Sequence, residues 1–244
     1  MVKKDKRIRV RAVLADAGHI LFDESSNTNS FITYWNELDE KLKEGQVLDK
    51  KKFESVYSKN KDKIFIGECD KKEAYKDTLK KTGFSEYFSD FMQWMGKKGR
   101  ASRKLIKLNP GVKETVRKLY DQGIDFIIVS DSSKTGEEIR ASLEAIGLDY
   151  GVVDVVSSFD VKAKKPRKAI FDYALRVNGL RMEEVVFLAH DLDELSGANR
   201  LGYRTVALNY AEDIAGKINY SRKIRKFSDL LSILSKDDNP YSSK

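Results

Sequence analysis

The sequence has few of the features that mark secreted or membrane proteins. Cys69 is the lone cysteine among 244 residues, which excludes an internal disulfide and any metal site made of cysteines alone. No apolar run approaches the roughly 20 residues that cross a bilayer. The basic N-terminus continues into an alternating stretch instead of the apolar centre of a signal peptide. We therefore expect a cytoplasmic protein without a membrane partner.

Acidic residues are the minority among the charges, and the formal net charge is +8. A basic surface attracts anionic ligands. However, the lysines of residues 40–82 are interspersed with acidic residues, and no RNA-binding motif occurs. We therefore expect a small anionic ligand and no nucleic-acid partner. The sequence carries no signal of oligomeric state.

From about residue 108 the sequence repeats one unit, in which an apolar strand is followed by a helical segment that ends near a glycine. Predicted strands lie at 8–15, 124–129, 152–156, Val185–Ala189 and 205–208, and predicted helices at 111–122, 137–146, 166–177, 194–201 and 227–235. Asn109 and Pro110 are typical of an N-cap and a first helical residue. This alternation predicts an α/β fold, a Rossmann-like parallel sheet with helices on both faces.

A different type of sequence separates the first strand from this repeat. Residues 24–105 contain amphipathic helical stretches at 31–42, 51–59, 71–80 and 84–95, followed by a basic stretch from Gly96 that we interpret as a linker. Aromatic residues crowd this region, which is typical of the core of a helical bundle and also compatible with a ligand pocket. We predict an α/β core domain formed by 1–23 and 106–244, and an inserted all-helical cap domain formed by 24–105.

Polar residues follow the predicted strands, where ligands of parallel sheets bind. The candidates are Asp16 after the first strand, Ser130 and Asp131 after the second, Lys162, Lys164 and Lys165 after the third, and His190, Asp191, Asp193 and Glu194 after the fourth. These groups suit phosphoryl transfer to an aspartate. A carboxylate attacks, a hydroxyl and an ammonium hold the phosphoryl oxygens, and a cation held by carboxylates neutralises charge.

These segments resemble the four motifs of the haloacid dehalogenase-like (HAD) hydrolase superfamily, in the same order. The stretch from Asp16 to Leu21, DAGHIL, is similar to the first motif, DxDGT-L, and Ser130 in IIVSD to the second. Lys165 in KPRKAIF is similar to the third motif, so Lys162 and Lys164 are expected to face solvent. The HDLDE cluster before GANRLG is similar to the fourth. The helical insertion occupies the place of the family's type 1 cap.

The resemblance implies a hydrolase, specifically a phosphatase that acts on a small phosphorylated metabolite through an aspartyl-phosphate on Asp16. Ser130 and Lys165 would take part in catalysis, and both would bind substrate together with Asp131. The implied cofactor is Mg²⁺, which prefers oxygen ligands. Its implied ligands are Asp16, the backbone carbonyl of Gly18, and Asp191.

The first motif departs from the family pattern at two positions. Gly18 stands where phosphatases of the family carry a second aspartate as general acid and base, and Ile20 replaces the usual threonine. His19 is a possible substitute acid, because imidazole titrates near neutrality. The interpretation that we favour is that His19 occupies a turn position usually held by glycine or asparagine.

The fourth motif is shifted by one residue. Counting back from Gly197, the leading metal aspartate of the family falls on His190 and the second acid on Glu194, whereas Asp191 lies one residue later. Either Asp191 reaches the metal or His190 takes its place, and imidazole suits softer metals than Mg²⁺. Asp193 is the expected N-cap of the following helix.

Two alternative functions stay open beside the phosphatase. A catalytically weak or inactive HAD-fold protein that serves in binding or regulation is consistent with Gly18, Ile20 and His190. A metal-independent, dehalogenase-like hydrolase is consistent with the missing second aspartate, although no halide-binding arrangement is evident in the sequence.

Overall fold

A computed structural model describes residues 9–22, 34, 42, 45–102, 107–208 and 222–234. The strands of this part of the chain are β1 (Ala12–Ala15), β2 (Asp125–Ser130), β3 (Val152–Ser157), β4 (Val185–Ala189), β5 (Arg204–Leu208) and β6 (Arg222–Ile224). They form one parallel sheet in the order β3-β2-β1-β4-β5-β6. The order reverses between β1 and β4, where doubly wound sheets bind their ligands.

The helices follow the predicted alternation. They are α1 (Lys50–Phe65), α2 (Lys71–Thr82), α3 (Phe88–Ser102), α4 (Val112–Asp121), α5 (Gly136–Glu144), α6 (Ser158–Val161), α7 (Lys168–Val177), α8 (Leu192–Arg200) and α9 (Asp229–Leu234), with 3-10 turns at Ser85–Tyr87 and Met182–Glu184. In the described ranges no helix combines the length and apolar composition that a membrane span requires.

Two hydrophobic clusters cover the two faces of the sheet. Val13 and Ala15 of β1 pack on one face with residues of α4, α5 and α9, whereas Ala12 and Leu14 pack on the other with residues of α7 and α8. Because side chains alternate along a strand, a strand covered on both faces reads as a continuous apolar run. The predicted parallel sheet with helices on both faces is confirmed.

The helical insert, residues 45–102, has a hydrophobic cluster of its own. Tyr34, Phe53, Tyr75, Leu79, Phe84 and Phe91 form its buried part. Tyr75 and Phe91 meet edge to face at 4.8 Å between ring centroids, a favourable aromatic geometry. These aromatic side chains therefore form the core of a helical bundle, the first of the two interpretations. Most of the helix predicted at 31–42 lies outside the described residues.

The insert is joined to the sheet by two neighbouring connections. Phe22 and Leu108 form an antiparallel bridge, and the backbone N–H of Asn109 donates to the carbonyl of Leu21 at 2.8 Å. The chain therefore leaves the α/β core and returns to it at nearly the same point.

Three sequence expectations about local structure are wrong. The stretch from Gly96 is not a linker, because α3 continues to Ser102; an isolated glycine weakens a helix by only about 1 kcal/mol. Asn109 is not an N-cap, since α4 is capped by Gly111 at a φ of 81° and the Asn109 amide instead binds the loop after β1. The helix predicted from Pro166 begins at Lys168, because Arg167 is still extended.

The close approach of α8 to the loop before α7 generates a stability prediction. A Cβ at Gly197 would lie 2.1 Å from Cβ of Pro166, whereas a Cβ at Gly96 in α3 would meet nothing within 4 Å. We expect Gly197→Ala to lower the free energy of unfolding by about 1–3 kcal/mol through overpacking. Gly96→Ala, the matched control, should raise it by up to about 1 kcal/mol. Urea denaturation of both variants checks this, and equal effects would contradict the packing argument.

Candidate active site

The predicted site residues meet at one edge of the sheet. Asp16 follows β1, Ser130 ends β2, Lys165 lies in the loop after β3, and His190 and Glu194 follow β4. Asp16 and Ser130 are each 8% exposed and Lys165 is 2% exposed. The site therefore lies at the point of strand-order reversal, between β1 and β4.

Asp16 is held by backbone and side-chain contacts. Its N–H donates to the carbonyl of Leu188 in β4 at 3.0 Å, which fixes the first residue of the loop against the neighbouring strand. Its Oδ1 accepts a hydrogen bond from Nζ of Lys165. The Asp16 carboxylate is thus nearly buried and paired with a cation.

Lys165 is the centre of the site. Its ammonium, 0% exposed, contacts Asp16 Oδ1 and lies 3.1 Å from Oε1 of Glu194. Burial opposes protonation of Lys165, but the carboxylates of Asp16, Glu194 and Asp131 outweigh it and raise the pKa above its ordinary value. Lys165 is therefore a permanent positive charge between two carboxylates.

Glu194 is the second carboxylate on this lysine. Burial raises the pKa of Glu194 above its ordinary value, and Lys165 offsets only part of that effect. Its Oε2 is buried and has no hydrogen-bond partner within the described part of the chain. Glu194 is in the first turn of α8, where the helix dipole favours negative charge.

Asp131, predicted to bind substrate, contacts the backbone of Lys165. Its Oδ1 accepts the backbone N–H of Lys165 at 2.9 Å. Burial raises the pKa of Asp131, and the nearby Lys165 works against that rise. Asp131 therefore links the loop after β2 to the loop after β3 and fixes the backbone from which the Lys165 side chain projects.

The loop after Asp16 shows the structural roles of Ile20 and His19. The Ile20 side chain is fully buried in the hydrophobic cluster of one sheet face, so it anchors the loop by burial where a threonine would use a hydroxyl. His19 has a φ of 53°, in the left-handed region, which agrees with the turn position expected for it. The Gly18 carbonyl accepts the N–H of Ile20 at 2.5 Å.

The two histidines of the sequence, His19 and His190, lie close to each other, and His190 lies near Asp16. The rings of His19 and His190 are 4.9 Å apart between centroids, and Nδ1 of His190 is 3.9 Å from Oδ2 of Asp16. Burial lowers the pKa of His190, although Asp16 works in the opposite direction. The structure thus brings His190, rather than Asp191, to Asp16.

Asp191 is the N-cap of α8. Its Oδ1 accepts the N–H groups of Asp193 at 2.8 Å and Glu194 at 3.1 Å, which satisfies two free donors of the helix. The prediction of Asp193 as the cap is therefore wrong by two residues, because the helix begins at Leu192. The carboxylate assigned to the metal from the sequence is occupied with helix capping.

Each of the ligands implied for Mg²⁺ makes another contact in this arrangement. In the residues that the structure describes, no three histidine, cysteine, aspartate or glutamate side chains are grouped so that they could hold a metal ion. Asp16 gives one oxygen to Lys165, the Gly18 carbonyl accepts an N–H within its loop, and Asp191 caps a helix. The positive charge next to Asp16 comes from Lys165.

Sequence reasoning missed two contacts that hold this site. Asn109 Nδ2 donates to the carbonyls of His19 at 2.9 Å and Ile20 at 3.1 Å, and the Ser158 hydroxyl contacts the loop after β2. Of the other lysines after β3, Lys162 is exposed, as predicted, whereas Lys164 forms an ion pair with Asp62. Each contact joins residues far apart in sequence, so no local pattern reveals it.

The chain matches the family model described as haloacid dehalogenase-like hydrolase over residues 41–208. It is 29% identical over 134 residues to pyrophosphatase PpaX of Halalkalibacterium halodurans, covering 54% of this chain and 61% of that protein. It is also 31% identical over 106 residues to (S)-2-haloacid dehalogenase 4A of Burkholderia cepacia, covering 43% and 45%. The chain thus spans about half the length of these curated relatives.

Solved structures share the fold over most of the chain. A dehalogenase with an intermediate complex superposes with a TM-score of 0.65 at 19% identity, covering 93% of this chain and 98% of that one. A HAD phosphatase from Thermococcus onnurineus superposes with a TM-score of 0.60 at 22% identity, again covering 93% and 98%. At these identities the likeness shows the fold.

The buried lysine generates a second stability prediction. We expect Lys165→Met to lower the free energy of unfolding by about 3–5 kcal/mol, because it leaves two buried carboxylates without a counter-charge. Adding Glu194→Gln should restore part of this loss by removing one of the charges. Lys164→Met, which breaks an exposed pair with Asp62, should change stability by less than about 1 kcal/mol. Urea denaturation compares the three, and similar losses for both lysines would contradict the pairing.

Proposed function

Since the chain belongs to the haloacid dehalogenase-like hydrolases, we propose that it hydrolyses a small phosphorylated substrate with Asp16 as covalent nucleophile. The observation that carries the proposal is the buried ion pair of Lys165 with Asp16. The Lys165 ammonium that contacts Asp16 can also bind the oxygens of an anionic substrate. Relatives that are named phosphatases support phosphate as the group attacked.

The proposed reaction has two displacements at phosphorus. In the first, an Asp16 oxygen forms a bond to phosphorus while the bond to the leaving oxygen breaks. In the second, water attacks the phosphorus of the aspartyl-phosphate, which releases phosphate and regenerates the carboxylate. In this proposal Lys165 and Ser130 bind the phosphoryl oxygens, and Asp131 positions Lys165 by accepting its backbone N–H.

We propose that the helical insert is the cap domain predicted from the sequence. It is joined to the core beside Asp16, through the Phe22–Leu108 bridge, and α1 contacts the loop that carries Lys165. A helical element in that position can exclude water from a reacting group. Asp16, the Gly18 carbonyl and Asp191 are the residues that would hold Mg²⁺, and no reaction step is assigned to the ion.

Removal of the nucleophile is the direct test of the proposal. We expect Asp16→Asn to lower hydrolysis of p-nitrophenyl phosphate by about 10⁴-fold or more, because the amide cannot form the covalent intermediate. Initial rates at matched protein concentration, with circular dichroism to verify folding, provide the measurement. Wild-type turnover that survives in this variant would exclude Asp16 as the nucleophile.

Asp191 offers a matched control, because asparagine is as good an N-cap as aspartate. If Asp191 only caps α8, Asp191→Asn should keep activity within about twofold of the wild type, with or without added Mg²⁺. A large loss of activity that added Mg²⁺ or Mn²⁺ restores would return Asp191 to the metal role expected from the sequence.

Gly18 predicts a dependence on the leaving group. A positioned acid contributes about 10²–10⁴-fold to such reactions, and Gly18 has no side chain to supply it. We expect p-nitrophenyl phosphate, which has a weakly basic leaving group, to react at least about 10²-fold faster than simple alkyl phosphates. Rates across a series of phosphate esters measure this, and equal rates would indicate that another residue donates the proton.

Attack at carbon is the second candidate function, favoured by the missing acid at Gly18 and by the Lys165 ammonium as the cation in contact with Asp16. Asp16 would displace halide from a 2-haloacid, and water would then attack the carboxyl carbon of the ester. Single turnover in ¹⁸O-water separates the two reactions. Attack at phosphorus places the label in phosphate, whereas hydrolysis of a carbon ester places it in Asp16.

A further inference from the structure

The segment from Ser157 to Lys165 is bound to the neighbouring core loop along most of its length. The Ser157 hydroxyl donates to the carbonyl of Lys134 at 2.6 Å, and Oδ2 of Asp160 accepts the N–H of Gly136 at 2.7 Å. The N–H of Ser132 donates to Oγ of Ser158 at 3.0 Å. The loop after β2, which begins at Ser130, is therefore fixed to the loop that ends at Lys165.

The same segment is bound to the helical insert on its other side. The Ser158 hydroxyl donates to the carbonyl of Phe65, the last residue of α1, at 2.7 Å. Lys164 forms an ion pair with Asp62 in α1. Gly67 approaches so closely that a Cβ there would lie 2.3 Å from Nζ of Lys162.

Ser158 takes part in both sets of contacts. Its hydroxyl oxygen accepts the N–H of Ser132 in the core loop. As a donor, the hydroxyl lies 2.7 Å from the carbonyl of Phe65 in the insert and 3.3 Å from the carbonyl of Ser132, so the shorter bond is the one to the insert. The residue is 0% exposed, so water cannot replace either partner, whereas Lys164 and Asp62 are 35% and 53% exposed. A buried hydrogen bond is therefore the stronger constraint of the two.

We infer that Ser158 is a positioning residue, which couples docking of the helical insert to the geometry of Ser130 and Lys165. The coupling follows a continuous path. Phe65 binds Ser158, Ser158 binds Ser132, and Ser132 is two residues from Ser130. On the other branch the segment continues to Lys165, whose N–H is held by Asp131. The catalytic part of this inference rests on the proposed function.

Hydrogen exchange measures the docking itself, without any substrate. We expect Ser158→Ala to increase amide exchange about five- to tenfold at Ser132 and at 66–68, the range expected when one hydrogen bond is lost. The matched control is Ser157→Ala, because Ser157 is a neighbouring buried serine whose hydroxyl bonds to Lys134 and Phe159 of the core domain. It should leave exchange at 66–68 unchanged.

Hydrolysis of p-nitrophenyl phosphate measures the catalytic consequence. We expect Ser158→Ala to lower kcat about five- to tenfold, with a smaller loss in Ser157→Ala. If Ser158→Ala does not fold, Ser158→Cys, which keeps the size but donates weakly, should show the same changes to a smaller extent.

The outcomes separate this inference from the proposed function. Unchanged exchange at 66–68 in Ser158→Ala, or equal changes in both serine variants, overturns the positioning role even if the protein hydrolyses phosphate esters. Faster exchange at 66–68 together with lower kcat in Ser158→Ala supports it. If the wild-type protein shows no hydrolysis but Ser158→Ala still exchanges faster at 66–68, the docking contact is supported and the proposed function is overturned.

Discussion

The buried ammonium of Lys165 is the constraint on which the rest of the site depends. It lies between Asp16 and Glu194. Without it, a buried carboxylate would have no counter-charge, and the folded protein would be less stable by several kcal/mol. Its position is set from three directions. Asp131 holds its backbone N–H, Pro166 packs against Gly197 of α8, and the preceding segment is bound to the loop after β2. The loop that carries Lys165 is thus in contact with the sheet edge, with the helix that carries Glu194 and with the helical insert.

The departures from the family motifs are consistent with one another in this setting. Ile20 anchors the loop after β1 by burial, His19 occupies its left-handed turn, and His190 lies beside Asp16 where the motif has an acid. Asp191 is then free to cap α8. Asp16 therefore contacts the Lys165 ammonium and lies 3.9 Å from the His190 imidazole, which in turn lies against the ring of His19.

The sheet and its polar edge could be predicted from the sequence, because buried parallel strands are written as continuous apolar runs and the residues after them follow from topology. The individual contacts between site residues could not be predicted from the sequence. Whether Asp191 or His190 faces Asp16 depends on where α8 begins, and a difference of one residue rotates a helix position by about 100°. Asn109 and Ser158 contact residues that are distant in sequence, and such contacts produce no periodic pattern in the sequence. The short strand β6 has little apolar character, so no apolar run in the sequence predicts it, whereas the apolar run of β1 does.

The bridge between Phe22 and Leu108 has a consequence for how this architecture can change. Because the chain enters and leaves the insert at neighbouring positions, the whole insert is equivalent to one closed loop attached to the sheet. The entropy of closing a loop grows only with the logarithm of its length. The bundle can therefore be lengthened, shortened or exchanged with little effect on the strand order around Asp16. In this architecture the helical insert and the loop that carries Asp16 can therefore change independently of each other.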